Sequence, residues 1–205
     1  MACKTPSVVA ASLAAVVTIA PAVAADQNTA ATVQTIRAAT VQFEKIENAL
    51  AAGYIPDPSG RCISAAAEGL PPQLGAMGIH YMRPDMLGIT TTAPRVDGNN
   101  THTDFMNPSI LLYEPQADGS MRLVGVENLV FEKGWRAAGN TEAPRLLTRS
   151  WDRMADDSST AQDEAHGFEP HFDQHVWLVG LPEHALLPFN PAVTCDHHRP
   201  VSQGQ

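Results

Sequence analysis

Basic residues are scarce in this chain: 13 Lys and Arg stand against 22 Asp and Glu in 205 residues, a formal net charge of −9 at pH 7. No basic stripe runs along it, so the electrostatic footprint that binds nucleic acid or an anionic membrane surface is missing, and nucleic acid is a poor partner. Cysteine is scarcer still, 3 in all, and no two form a CxxC pair, which leaves a thioredoxin-type redox role without support. A GxSxG elbow and a glycine-rich phosphate loop are both absent, so serine-hydrolase and nucleotide-binding chemistry drop out. The zinc-protease motif HExxH is absent too, and the acidic stretch DRMADDSSTAQDEA (152–165) lacks the alternation and the glycine of a calcium loop. Aromatic content is low at 6%. Trp135, Trp151 and Trp177 can line an apolar pocket, but packing under a helix is the commoner fate of tryptophan.

The long apolar run that does occur is N-terminal. After Lys4 comes SVVAASLAAVVTIAPAVAA, small, apolar and uncharged up to Asp26. This is the pattern of a secretory leader, with cleavage expected after Ala24 or Ala25, and Pro21 argues against a retained anchor. Residues 1–24 are thus expected to be a signal peptide, and residues 25–205 a single secreted or periplasmic domain with no membrane anchor after cleavage. Two cysteines remain after Cys3 is removed. In an oxidising compartment Cys62 and Cys195 are expected to form a disulfide, unrelated buried thiols being the alternative.

From Asn28 to Ala52, Val33, Ile36, Val41, Phe43, Ile46 and Leu50 recur at mostly three- and four-residue spacing among polar residues, which predicts one amphipathic helix stopped by Gly53, Pro56 and Pro58. Strands are expected in GAMGIHYM (75–82), SILLYEP (109–115), MRLVGVENLVF (121–131) and HVWLVG (175–180), with a hairpin turn at QADG (116–119). Residues 89–108 and 152–165 read as loops, the second a solvated loop or a lid beside the histidines that follow it. The expected fold is α+β, an antiparallel β-sheet with one main N-terminal amphipathic helix packed on it and one disulfide.

The stretch HGFEPHFDQHVWL (166–178) concentrates histidines, carboxylates and aromatics. With 170–174 as a turn leading into a strand at His175, both His171 and His175 stay available as ligands. His80 interrupts an apolar strand, and so does Glu127, on the expected face of Leu123, Leu129 and Phe131. A buried carboxylate needs a partner. Either a metal or histidine supplies it, or an arginine such as Arg83, Arg122 or Arg145 does. The first alternative gives a metal set of His80, Glu127, His171 and His175, suited to zinc, copper, iron or manganese. Without metal, His171 or His175 oriented by Asp173 or Glu127 can act as a general base.

The blocks GAMGIHY, LLYEP, LVGVENLV, HVWL and FNPAVTC, in that order over roughly residues 60–195, resemble a family of uncharacterised exported bacterial proteins. The resemblance implies a secreted domain, with His80, Tyr81, Glu127, His175 and Trp177 inside the matching blocks, and implies no activity. The function read from these features is a secreted or periplasmic domain binding a small ligand or a transition metal in a histidine-rich pocket. Its rivals are a metal-dependent enzyme acting on a small organic molecule, and a cell-envelope structural or interaction module with exposed histidines and Glu127 paired to arginine.

Overall fold

A computed structural model of the chain describes residues 21–161 and 163–199. The expected leader falls mainly on residues 1–20, which lie outside the described residues. Helix α1 (Pro21–Thr40) is followed by a 3-10 turn (Val41–Glu44) and a short α2 (Ile46–Ala51). The single helix expected over residues 28–52 is therefore broken near its middle. The Thr40 hydroxyl donates back to the Ile36 carbonyl at 2.8 Å, a bond that bends helices, and the turn after it buries Phe43.

Strands β1 (Ile55–Pro56), β2 (Ile63–Ser64) and β3 (Ala76–Met82) come next, then a helical turn α3 (Pro84–Leu87) and a small ribbon of β4 (Ile89–Thr91) with β5 (Asp97–Gly98). The long hairpin of β6 (Ile110–Pro115) and β7 (Met121–Phe131) leads to α4 (Glu132–Ala137) and a second ribbon of β8 (Arg145–Leu146) with β9 (Arg149–Ser150). Strands β10 (Asp152–Met154) and β11 (His171–Trp177) complete the main sheet. Its order is β1-β3-β6-β7-β11-β10, with β2 also on β3, and every pairing is antiparallel. The fold is α+β. The hairpin turn at 116–119 forms as expected, with Gly119 at φ 86° and its N–H donating to the Gln116 carbonyl.

Both faces of the sheet are covered, so β6 and β11 are buried at every position. One face meets the helical segment: Val33, Ile36 and Phe43 join Leu111, Tyr113, Val126, Val130 and Val176 in one core, and the Tyr113 hydroxyl donates to the Phe43 carbonyl at 2.6 Å. The other face carries Met77, Met82, Leu112, Leu129, Phe131 and Trp177, covered by Leu87, Phe189 and Val193. Between Leu112 and Tyr113 the register of β6 on β7 shifts, which reverses the alternation. Leu123 therefore packs on the helical side, not beside Glu127.

The C-terminal segment is tied down by the disulfide Cys62–Cys195 and by an antiparallel bridge between Ala76 and Asn190. Glu114 adds a third tie: its carboxylate accepts the Thr194 N–H at 2.7 Å and pairs with Arg122 at 2.7 Å. Gly75 is required there, because a Cβ would meet the Asn190 carbonyl oxygen at 2.0 Å. Among the described residues, no helix is long and apolar enough to cross a membrane.

Candidate metal centre

Strand register brings the polar residues of the second face together. Glu127 on β7 stands opposite His175 on β11, while His80 on β3 is opposite Leu112, itself opposite Gly125. His80 and Glu127 thus sit two strands apart, about 10 Å between backbones, a gap their two long side chains span. Glu127 Oε2 lies 3.2 Å from His80 Nε2 and 3.4 Å from His175 Nε2. Donor atoms of all three residues fall within 4.8 Å of one another.

These contacts have ion-pair distances without hydrogen-bond geometry. Glu127 Oε2 and His175 Nε2 are buried and have no hydrogen-bond partner. Buried polar atoms are rarely left so, and the cost of an orphan is about 1–3 kcal/mol. Donors bound at about 2.1 Å to one ion lie about 3.0 Å apart in octahedral cis positions and about 3.4 Å apart in a tetrahedron. The two Glu127–histidine separations fit that range. The group His80, Glu127 and His175 can hold a metal ion.

Neighbours fix the ring of His175. Trp177 stacks on it with centroids 5.6 Å apart and planes 5° apart, and His80 meets it edge-on at 6.2 Å. Trp177 in turn lies over Gly125, where a Cβ would stand 2.8 Å from its ring, and its indole N–H donates to the Leu187 carbonyl at 2.7 Å. Gly125 is therefore what lets the tryptophan reach the histidine.

Electrostatics hold the donors ready. Burial pushes the Glu127 carboxyl up, but His175 and then His80 outweigh it, leaving Glu127 well below the usual carboxylate range. For His175, burial pulls the imidazole down while the Glu127 and Asp173 charges lift it, and the net direction is up. Both shifts favour carboxylate against imidazolium, so a cation binding there competes with the His175 proton.

A cavity of about 370 Å³ adjoins the group. Met77, Met82, Ile110, Leu129 and Phe168 give it apolar walls, and Arg61 and His166 also line it. His171 and Asp173 line it as well, on the same face of β11 as His175. Strand β11 already begins at His171, so the turn expected over 170–174 is not formed; Phe172 and Val176 bury their side chains on the helical face and extend the β alternation backward. His171 is thereby carried about 13 Å along the strand from His175. It stands outside the three-residue group, its Nδ1 2.9 Å from the Glu169 carbonyl oxygen. A carbonyl only accepts, so Nδ1 carries the proton and Nε2 is left as an acceptor. Burial holds the His171 pKa below its ordinary value. Burial also pushes the Asp173 carboxyl up, to about 7.

None of the arginines weighed as partners for Glu127 takes that role. Arg83 pairs with Asp85, Arg122 with Glu114, and Arg145 bonds to Ser150 and Thr148. From the segment expected as a loop over 152–165, β10 pairs with β11, Met154, Asp163 and Ala165 line the cavity, and Arg95 pins Asp156 and Asp163 at 3.1 and 2.9 Å. Part of the loop expected over 89–108 is the β4–β5 ribbon, and Val96 bridges to Phe168 at the cavity. Sequence reasoning missed His166, which adopts φ 52° ahead of Gly167 and lies 3.7 Å from Glu68. The His-Gly pair is a turn signal that would have marked it as a loop residue rather than a strand ligand.

Fold and site together define an α+β domain with two histidines and one carboxylate gathered beside a cavity. The chain matches no protein-family model, no curated protein and no solved structure. The site geometry therefore carries the functional argument.

Proposed function

We propose that this protein is a secreted or periplasmic domain that binds one transition-metal ion through His80, Glu127 and His175, and that the ion presents open coordination positions to a small organic ligand. The observation that carries this is the pair of buried, unbonded ligand atoms, Glu127 Oε2 and His175 Nε2, at metal-ligand spacing. Two imidazoles and a carboxylate suit zinc, iron, manganese or copper. The disulfide Cys62–Cys195 fits an oxidising compartment. The interaction-module reading needs exposed histidines and an arginine on Glu127, and both His175 and Glu127 are 3% exposed with each other as partners.

Titrating the metal-free protein with Co(II) and following its visible bands tests the proposal. One equivalent should bind with the bands of a low-symmetry nitrogen and oxygen site, and His80→Ala and His175→Ala should each abolish them. Bands that survive in both variants would place the metal elsewhere.

A second reading, metal-dependent catalysis on a small organic molecule, is favoured by the number of donors. Three protein ligands with a cavity alongside is the pattern of catalytic metal sites, whereas structural sites close the fourth position with protein. His171, an unprotonated acceptor at Nε2 facing that cavity, is available to take a proton from the ligand.

A further inference from the structure

Along β11 the cavity holds two acceptors that the protein leaves without donors. Asp173 is 9% exposed, and among the described residues no hydrogen bond reaches its carboxyl. His171 is 3% exposed and spends its single N–H on the Glu169 carbonyl, so its Nε2 lone pair is unused. Other polar groups around the cavity are already engaged. Asp57 accepts from Ser59, Asp163 is held by Arg95, and Arg61 pairs with Glu68 at 2.9 Å. On the β11 wall beyond the metal group the cavity thus offers two acceptors, Asp173 and His171, while the donors that line it, Arg61 and His166, stand beside Glu68. Both residues line the cavity, so these acceptors are open to water or to a ligand that fills it.

The two acceptors stand at fixed steps from the metal group. Alternate residues on a strand face are about 6.6 Å apart, so Asp173 is one step from His175 and His171 two steps, about 13 Å. A molecule with one end on the metal thus meets Asp173 first, roughly 6 Å along, and His171 beyond it.

From this placement, and resting on the metal-binding reading above, we infer that the ligand is an amine-bearing organic acid: its carboxylate completes the metal coordination and its ammonium group is held by Asp173 and His171. An ammonium has three N–H donors and no acceptor, which suits a pair of lone acceptors, one of them a carboxylate. The apolar walls of Ile110, Leu129 and Met82 suit a short methylene chain between the two ends. A straight ω-amino acid of four to six carbons spans the required distance. Arg61, which also lines the cavity, is paired with Glu68 at 2.9 Å, which offsets its charge.

The test uses the full protein loaded with Co(II), with 5-aminopentanoate and hexanoate as probes. Both acids can coordinate the metal and have the same length, but hexanoate carries a methyl group where the other carries ammonium. Perturbation of the cobalt bands reports coordination, and titration gives the two dissociation constants. The amino acid should bind about 10- to 100-fold tighter, the range for hydrogen bonds to charged groups. In Asp173→Asn the preference should fall to about threefold or less, while the cobalt bands without ligand persist. Equal affinities in the wild-type protein, or tighter binding of hexanoate, would overturn the inference and leave the metal site standing. Failure to bind cobalt at all would overturn the metal reading and this inference with it. The wild-type comparison needs no variant, so misfolding of Asp173→Asn would not protect the idea.

Discussion

Replacing Asp173 by asparagine should make the metal-free protein more stable above neutral pH, an effect opposite to the usual loss of a buried side chain. Burial raises the Asp173 pKa to about 7 from 3.8. Between those values the folded state holds a proton that the unfolded state has released, so stability falls as pH rises, by about 1.4 kcal/mol per unit for one proton. The contribution is fully present below the unfolded pKa and lost as pH passes the folded one. From pH 5 to pH 8 the loss is about 3 kcal/mol. Asparagine keeps the shape and does not titrate; it also removes one of the charges that lift the His175 pKa, a smaller contribution than that of Glu127. Urea denaturation of chelator-stripped wild type and Asp173→Asn at pH 5 and pH 8 isolates the difference. The stability of the variant relative to wild type should rise by about 3 kcal/mol between the two pH values. Parallel pH dependences would refute the placement of Asp173 as a buried carboxyl without donors.

Other perturbations bear on how the fold holds the site. Gly125→Ala puts a methyl group 2.8 Å from the Trp177 ring and 3.1 Å from Leu112 Cδ1, so it should cost about 1–3 kcal/mol in urea denaturation. The same change should weaken cobalt binding, since Trp177 stacks on His175; unchanged affinity would show that the stack does not orient the ligand. Replacing Cys62 and Cys195 together by serine frees a loop of 133 residues. On the chain-entropy model this costs up to about 5 kcal/mol, and a loss below about 1 kcal/mol would mean that the Ala76–Asn190 bridge and the Glu114 contacts already hold the segment.

Much of the sheet was legible in the chain because its central strands are both apolar and bounded by turn residues. Residues 121–131 form β7 as expected, and residues 76–82 and 110–115 differ from the expected spans by one residue. His80 and Glu127 stood out because each interrupts an apolar run, where a polar residue needs a specific partner, and His175 because it lies in the histidine-rich stretch 166–178. The cysteines paired as the compartment argument implied. What remained hidden depended on long-range packing. The register shift beside Leu112 turned Leu123 to the other face, and nothing local announces such a bulge. The helix gave way after Thr40 to a 3-10 turn that buries Phe43 in the core, while periodicity alone ran on to Ala52. His171 matched His175 in residue type, yet extended backbone from His171 onward put the two histidines too far apart to share an ion. The part of the cavity wall given by Asp57, Ser59, Arg61, Asp163 and Ala165 to Phe168 comes from connections whose course no periodic pattern encodes.

Elemental analysis of the protein as isolated, beside His175→Ala purified in the same way, tests the central claim most directly. The account predicts close to one equivalent of zinc, iron, manganese or copper in the wild type and none in the variant. No metal in either protein, together with no uptake when the wild type is exposed to those ions and dialysed, would contradict it.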